Sequence, residues 1–287
     1  MKTMSAWKLF SALGTMLLSV VSATQVAAAV LDLEGVSTNI TDVADLAGYD
    51  GVTNSSDGDP AILTFSPASD MTYAGTISGN IRLVKNGNGF LSLSGNNTYT
   101  GGTQIDHGRL IASSLTAFGA TTGAIMVNSD CNSSGTGKDA TFSNRVTCVV
   151  FGCAGNFAYP INTSTWTHPE RKASGYSGIQ YYNVAVTVDG VTLSGKITGG
   201  GLSLHFGGLS WEVNPPSVSS GSGLLTISGD IDCGSGVCDF ASRAETIKIT
   251  GKVTTLGIYQ NDETSWPPVW ELGGTGNSIG VIDMGII

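Results

Sequence analysis

Residues 73–112 read YAGTISGNIRLVKNGNGFLSLSGNNTYTGGTQIDHGRLIA, and the fold is legible in them. Apolar and polar residues alternate in short runs, Ile81-Arg82-Leu83-Val84 and Phe90-Leu91-Ser92-Leu93. Alternation at period two marks a strand with one buried face. The runs meet at a phrase of one shape: an apolar β-former, Ser or Thr, Gly, a polar residue, then usually Ile or Val. Ile77-Ser78-Gly79-Asn80-Ile81 is one copy and Leu93-Ser94-Gly95-Asn96-Asn97 a looser one. Glycine after a strand permits the positive φ of a sharp corner. The expected unit is a strand, a glycine corner and another strand.

The phrase returns outside this stretch as Leu193-Ser194-Gly195-Lys196-Ile197, Ile227-Ser228-Gly229-Asp230-Ile231 and Ile249-Thr250-Gly251-Lys252-Val253. Around the copies, Val191-Thr192-Leu193, Leu225-Thr226-Ile227 and Ile247-Lys248-Ile249 alternate in the same way. A chain of short strands and repeated corners winds into a solenoid, each coil stacked on the last at about 4.8 Å. At roughly 20–25 residues per coil, residues 30–287 make about ten coils. Asn and Thr side chains are expected to stack as hydrogen-bonded ladders between coils. An antiparallel sandwich also has short strands and Gly turns, but it does not require one phrase at every corner. The expected fold is all-β, a parallel β-helix.

The stretch from Tyr73 to Ala112 closely resembles the autotransporter-associated β-strand repeat, also called the passenger-associated transport repeat. The matching residues are Leu83, Lys85, Gly87, Gly89, Leu91, Leu93, Ser94, Gly95, Asn97, Thr98, Tyr99, Thr100, Gly101, Gly102, Thr103, Ile105, Gly108 and Leu110. Residues 114–128 look like its continuation into the next coil, and Gly276-Asn277-Ser278-Ile279-Gly280 is an echo of it. The resemblance implies a right-handed β-helical passenger, secreted or held on the surface of a bacterium with an outer membrane. It also implies that the repeat assists folding and passage across that membrane and is not an active site. Autotransporters end in a membrane β-barrel, whereas this sequence closes on Ile282-Asp283-Met284-Gly285-Ile286-Ile287. An apolar end strand recruits other chains, so the expectation is a truncated product or an end-to-end contact with a partner there.

The amino terminus reads as an export signal. Lys2 and Lys8 precede an apolar run over 9–22, and Ala27-Ala28-Ala29 fit a cleavage site. Residues 1–29 are expected to form a signal helix, cleaved after Ala28 or Ala29. No later stretch reaches 18 apolar residues, so no transmembrane segment is expected in the mature chain. With 13 basic against 22 acidic residues the net charge is −9, and losing Lys2 and Lys8 takes it near −11. The basic residues are scattered, which argues against nucleic-acid partners. Forty Gly in 287 residues disfavour long helices, each interior Gly costing about 1 kcal/mol.

Residues 130–182 break the repeat and are expected to be an insertion or a set of long loops on the β-helical domain 30–287. They hold Cys131, Cys148, Cys153, Trp166, His168 and Arg171-Lys172. Cys148 with Cys153, and Cys233 with Cys238, form two C-x4-C pairs that leave Cys131 over. Local disulfides and free thiols both stay open, while a zinc site fits the spacing poorly.

Candidate acidic clusters are Asp57 with Asp59, Asp230 with Asp232 and Asp239, and Asp262 with Glu263. Each sits among turn residues, where Asp bonds its own backbone, so no catalytic, cofactor-binding or metal residue is assigned and no cofactor is expected. The same holds for His107, His168 and His205. Trp266-Pro267-Pro268-Val269-Trp270, and Trp211 near Pro215-Pro216, could stack on sugars. The sequence therefore predicts a secreted or surface-displayed, structural or adhesin-like protein without enzymatic activity, whose partner is a host or environmental glycan or protein. The alternative is a secreted carbohydrate-active β-helix enzyme, a polysaccharide lyase or glycoside hydrolase.

Overall fold

The computed structural model describes residues 29–128, 147–163, 183–206, 223–242, 246–260 and 269–283. The expected signal helix, Cys131, His168, Trp211 and the Asp262-Glu263 pair lie outside them. Every strand pairing among the described residues is parallel. The chain is a parallel β-helix, and the sandwich is excluded.

Three faces make up the coil. The first is a stack of ten strands, Thr38–Ile40, Ala61–Phe65, Ile81–Lys85, Thr103–Ile105, Ile125–Val127, Ile161–Thr163, Ile197–Gly199, Ile231–Asp232, Val253–Gln260 and Ser278–Asp283. Nine steps of about 4.8 Å make that stack roughly 43 Å long. The second face runs from Met71–Tyr73 through Leu91–Leu93, Arg109–Ala112, Cys148–Phe151, Val184–Val186 and Leu202–Phe206 to Val237–Ser242. The third face is Ala29–Asp32, Tyr49–Thr53 and Thr76–Ile77 at one end. At the other end it is Gly155–Phe157, Val191–Leu193, Leu224–Ile227, Thr246–Ile249 and Val269–Leu272.

The alternation seen in the sequence becomes inside and outside. Ile81, Leu83, Leu91, Leu93, Leu193, Ile227 and Ile249 all point into one core that runs through the coils. A group of aromatic rings packs in the middle of the core: Phe118 lies 6.1 Å from Phe151 and 5.7 Å from Tyr159, and Phe151 lies 4.7 Å from Phe157. In the first coil the place below Met71–Tyr73 is taken by a single 3-10 turn, Val43–Leu46, whose Leu46 enters the same core.

Coil length follows from the register. Leu83 pairs with Thr103 and Ile231 with Val253, turns of 20 and 22 residues as expected. Ile125 to Ile161, Ile161 to Ile197 and Ile197 to Ile231 are longer. The interruption expected over 130–182 is not continuous, because 147–163 inside it supplies strands on all three faces, each in register with the coils beside it.

The phrase glycines are needed for a reason other than the expected one. Of Gly79, Gly95, Gly195, Gly229 and Gly251, only Gly79 has a positive φ, +81°. The others stack. A Cβ on Gly229 would overlap the carbonyl oxygen of Gly195, one on Gly251 that of Gly229, and one on Gly274 that of Gly251. Backbone touches backbone at this corner, and no side chain fits between coils. Gly229→Ala is therefore expected to lose about 1–3 kcal/mol through overpacking. Gly229→Asn should do no better, although Asn tolerates positive φ. Gly58→Ala, whose Cβ would meet only Ser56 Oγ at 3.6 Å, should stay within about 0.5 kcal/mol of wild type. Chemical denaturation midpoints check all three.

Candidate functional site

Residues 83–112 form one and a half turns of the ladder, and Lys85, Asn97, Thr103 and Arg109 among them are buried. At Lys85 the strand Ile81–Lys85 ends and the ammonium turns into the corner. Its Nζ donates to the carbonyls of Asn86 (2.9 Å), Gly87 (2.8 Å) and, one coil further on, His107 (3.0 Å). Three donors meet three acceptors, which lets a fully buried cation stay in the interior. Burial still pulls its pKa down to about 8, against the Asp70 carboxylate.

Asn97 stands where the third face loses its strand. Its Oδ1 accepts from the Ile77 N–H at 2.8 Å in one coil, and its Nδ2 donates to the Ala117 carbonyl at 2.6 Å in the other. The side-chain amide thus replaces the missing peptide in the ladder. Tyr99, fully buried, shares a hydrogen bond of 2.6 Å with Thr103 Oγ1. Arg109 lays its guanidinium over the Phe90 ring, 4.6 Å from its centre. These roles of Lys85, Asn97 and Tyr99 were missed in sequence, although the repeat pattern marks all three positions.

The candidate chemical residues do not converge. Asp57 and Asp59 are exposed at the corner before Ala61, and Asp230 is exposed at the matching corner before Ile231. Six ladder steps separate these corners, about 29 Å, far beyond the spacing of paired glycosidase carboxylates. Asp230 and Asp232 also have structural partners. Asp230 accepts from the Lys252 N–H at 2.9 Å, and Asp232 pairs with Lys196 at 3.3 Å. Asp239 is placed by its backbone alone, opposite Ser203 and Tyr259.

His107 shares a hydrogen bond of 2.6 Å with Asn88 Oδ1, and burial followed by the Lys85 charge lowers its pKa. His205 and Trp270 are placed by backbone register, opposite Ala185 and Ile247. Among the described residues no group of three His, Cys, Asp or Glu could hold a metal ion, and no helix is long and apolar enough to cross a membrane.

One outward row runs along the first face: Thr64, Gln104, Asn162, Thr198, Asp232 and Thr254, all partly exposed, follow one another in register, with the buried Val84 and the exposed Met126 between them. Most of the row is hydroxyl and amide, spaced by the coil repeat.

Two substitutions test the repeat's buried polar groups. Asn97→Ala strands the Ile77 N–H and the Ala117 carbonyl, which should cost about 2–4 kcal/mol in denaturation. For Lys85 the sign follows from linkage: the unfolded chain holds this proton to about pH 10.4, the folded chain to about 8. Between those values unfolding takes up a proton, so stability rises with pH. Denaturation midpoints at pH 8 and pH 9.5 should show that rise in the wild type and not in Lys85→Met.

The family comparison falls on this same part of the ladder. Residues 83–112 match the family model of the Passenger-associated-transport-repeat. A 124-residue stretch, 42% of the chain, is 34% identical to a protein described as adhesin BmaC autotransporter from Brucella suis biovar 1 (strain 1330). The chain spans about 4% of that relative's length. No solved structure matches. The buried Lys85, Asn97 and Tyr99 lie within the residues that match a passenger-associated transport repeat, and that repeat is what this chain carries.

Proposed function

We propose that the chain is a section of an exported, surface-displayed or secreted rod with an adhesive or structural role and no catalytic one. The ladder itself carries this reading: ten parallel strands in one stack, with Asp230 at its corner and Asp232 on its strand engaged in holding coil to coil. A rod of this kind gives reach and stiffness, since each coil contacts only its neighbours. The match to the transport repeat and the likeness to a segment of an autotransporter adhesin support export and display. The amino-terminal pattern supports a signal peptide removed after Ala28 or Ala29.

Ligand contacts are assigned to the insertions. The chain leaves the first face after Asn128 and again after Thr163, and rejoins the second face at Thr147 and at Asn183. Val127 and Thr163 end neighbouring strands of one stack, so the two insertions share a corner on successive coils. The partner is a host or environmental glycan or protein.

The test presents the full chain to arrayed glycans and to immobilised host surface proteins, alongside a variant whose residues 164–182 are exchanged for a Gly-Ser linker. Saturable binding is expected, lost in the variant while the β-sheet circular dichroism is kept. Release of reducing sugars from a polysaccharide panel by the wild type would overturn the non-catalytic reading.

A further inference from the structure

The two cysteine pairs share a spacing but not a geometry. Cys148 packs with Val150 and Ala185 on one side of its strand, while Val149 and Phe151 point into the core on the other. Cys153, beyond that strand, packs against the core. Cys233 and Cys238, by contrast, enter the core together. The chain turns between them through Gly234, at φ +52°, and Gly236, whose N–H donates to the Cys233 carbonyl at 2.7 Å. Register fixes both ends: Cys233 N–H donates to Thr254 in the next coil, and Cys238 sits between Leu202 and Ile258. The Cys238 thiol donates to the Cys233 sulfur at 3.5 Å.

We propose that Cys233 and Cys238 are a modification site, closed by a disulfide across this corner, and that the bond forms while the coil folds. The oxidant is a disulfide, either of low molecular weight or in a protein thiol oxidase. The thiolate of one of the pair attacks it, breaking the oxidant's S–S bond and expelling one thiol. The thiolate of the other then displaces the second thiol from the mixed disulfide. Two cysteine thiols give up two electrons and two protons, and the oxidant's disulfide becomes two thiols.

Burial sets the timing. Cys233 is 2% and Cys238 0% exposed, so the close-packed core has no room for a mixed disulfide. The exchange must precede the stacking of Val253–Gln260 on this coil. This site is independent of what the rod adheres to.

Thiol counting tests it. Full-length reduced chain is unfolded and refolded in a reduced/oxidised glutathione buffer, then denatured and alkylated. Three of the five cysteines are expected to alkylate in the wild type, and one of the remaining three in a Cys148→Ala/Cys153→Ala variant. All four should alkylate in Cys238→Ala. Already folded, reduced protein in the same buffer should keep all five thiols over the time the refolding chain loses two. Five free thiols after refolding, or a bond that survives Cys238→Ala, would overturn the assignment. Equally fast loss from the folded protein would overturn the timing. Where refolding fails, the same count is made on chain folded during secretion from cells. Three alkylated cysteines are again expected, and five would again overturn the assignment.

Discussion

Everything in this molecule is subordinate to one spacing. Peptide hydrogen bonds from each coil to the next hold the backbones about 4.8 Å apart, and every side chain must fit that interval. Strand side chains comply by pointing into the core or out to solvent. At the stacked Ser/Thr-Gly corner not even a methyl group fits, so glycine sits on glycine from Gly195 to Gly274. The repetition in the sequence is this spacing written out once per coil.

Where the ladder cannot be made from peptide groups, side chains make it. Asn97 joins two coils across the gap in the third face, and Lys85 gathers carbonyls from two coils at one corner. Such buried polar groups are expensive to leave without partners, so they bind their own coil to one register. That gives the transport repeat a physical meaning within this chain: its apolar positions build core, its glycines allow approach, its Lys and Asn fix neighbouring coils against slippage, and its Tyr closes the corner onto Thr103.

Most of the fold was legible in the sequence because period-two alternation and a recurring corner are local signals. The stack of ten strands and the 20–22-residue turns follow from them. What was not legible depends on neighbours distant in sequence. Gly195 and Gly229 look like positive-φ corners, yet their need for glycine comes from another coil. Lys85 looks like a solvated lysine until His107, on the following coil, supplies its third acceptor. The unlike fates of the two C-x4-C pairs depend on strand facing, which a five-residue spacing does not encode. Asp57 and Asp230 are both turn acids in sequence, and only the ladder shows them six steps apart.

The buried polar groups Lys85 and Asn97 hold coils together, while the outer row of the first face stays open to solvent. The central claim is the single continuous stack. Its most direct test is a set of spin-spin distances from Thr64 to Gln104, Thr198 and Thr254, with labels introduced as a non-canonical amino acid so that the native cysteines stay. These positions are two, five and seven steps along one row, so the separations should grow in proportion, about 10, 24 and 34 Å. A distance to Thr254 shorter than that to Thr198 would contradict the stack, because it would mean that the chain folds back on itself.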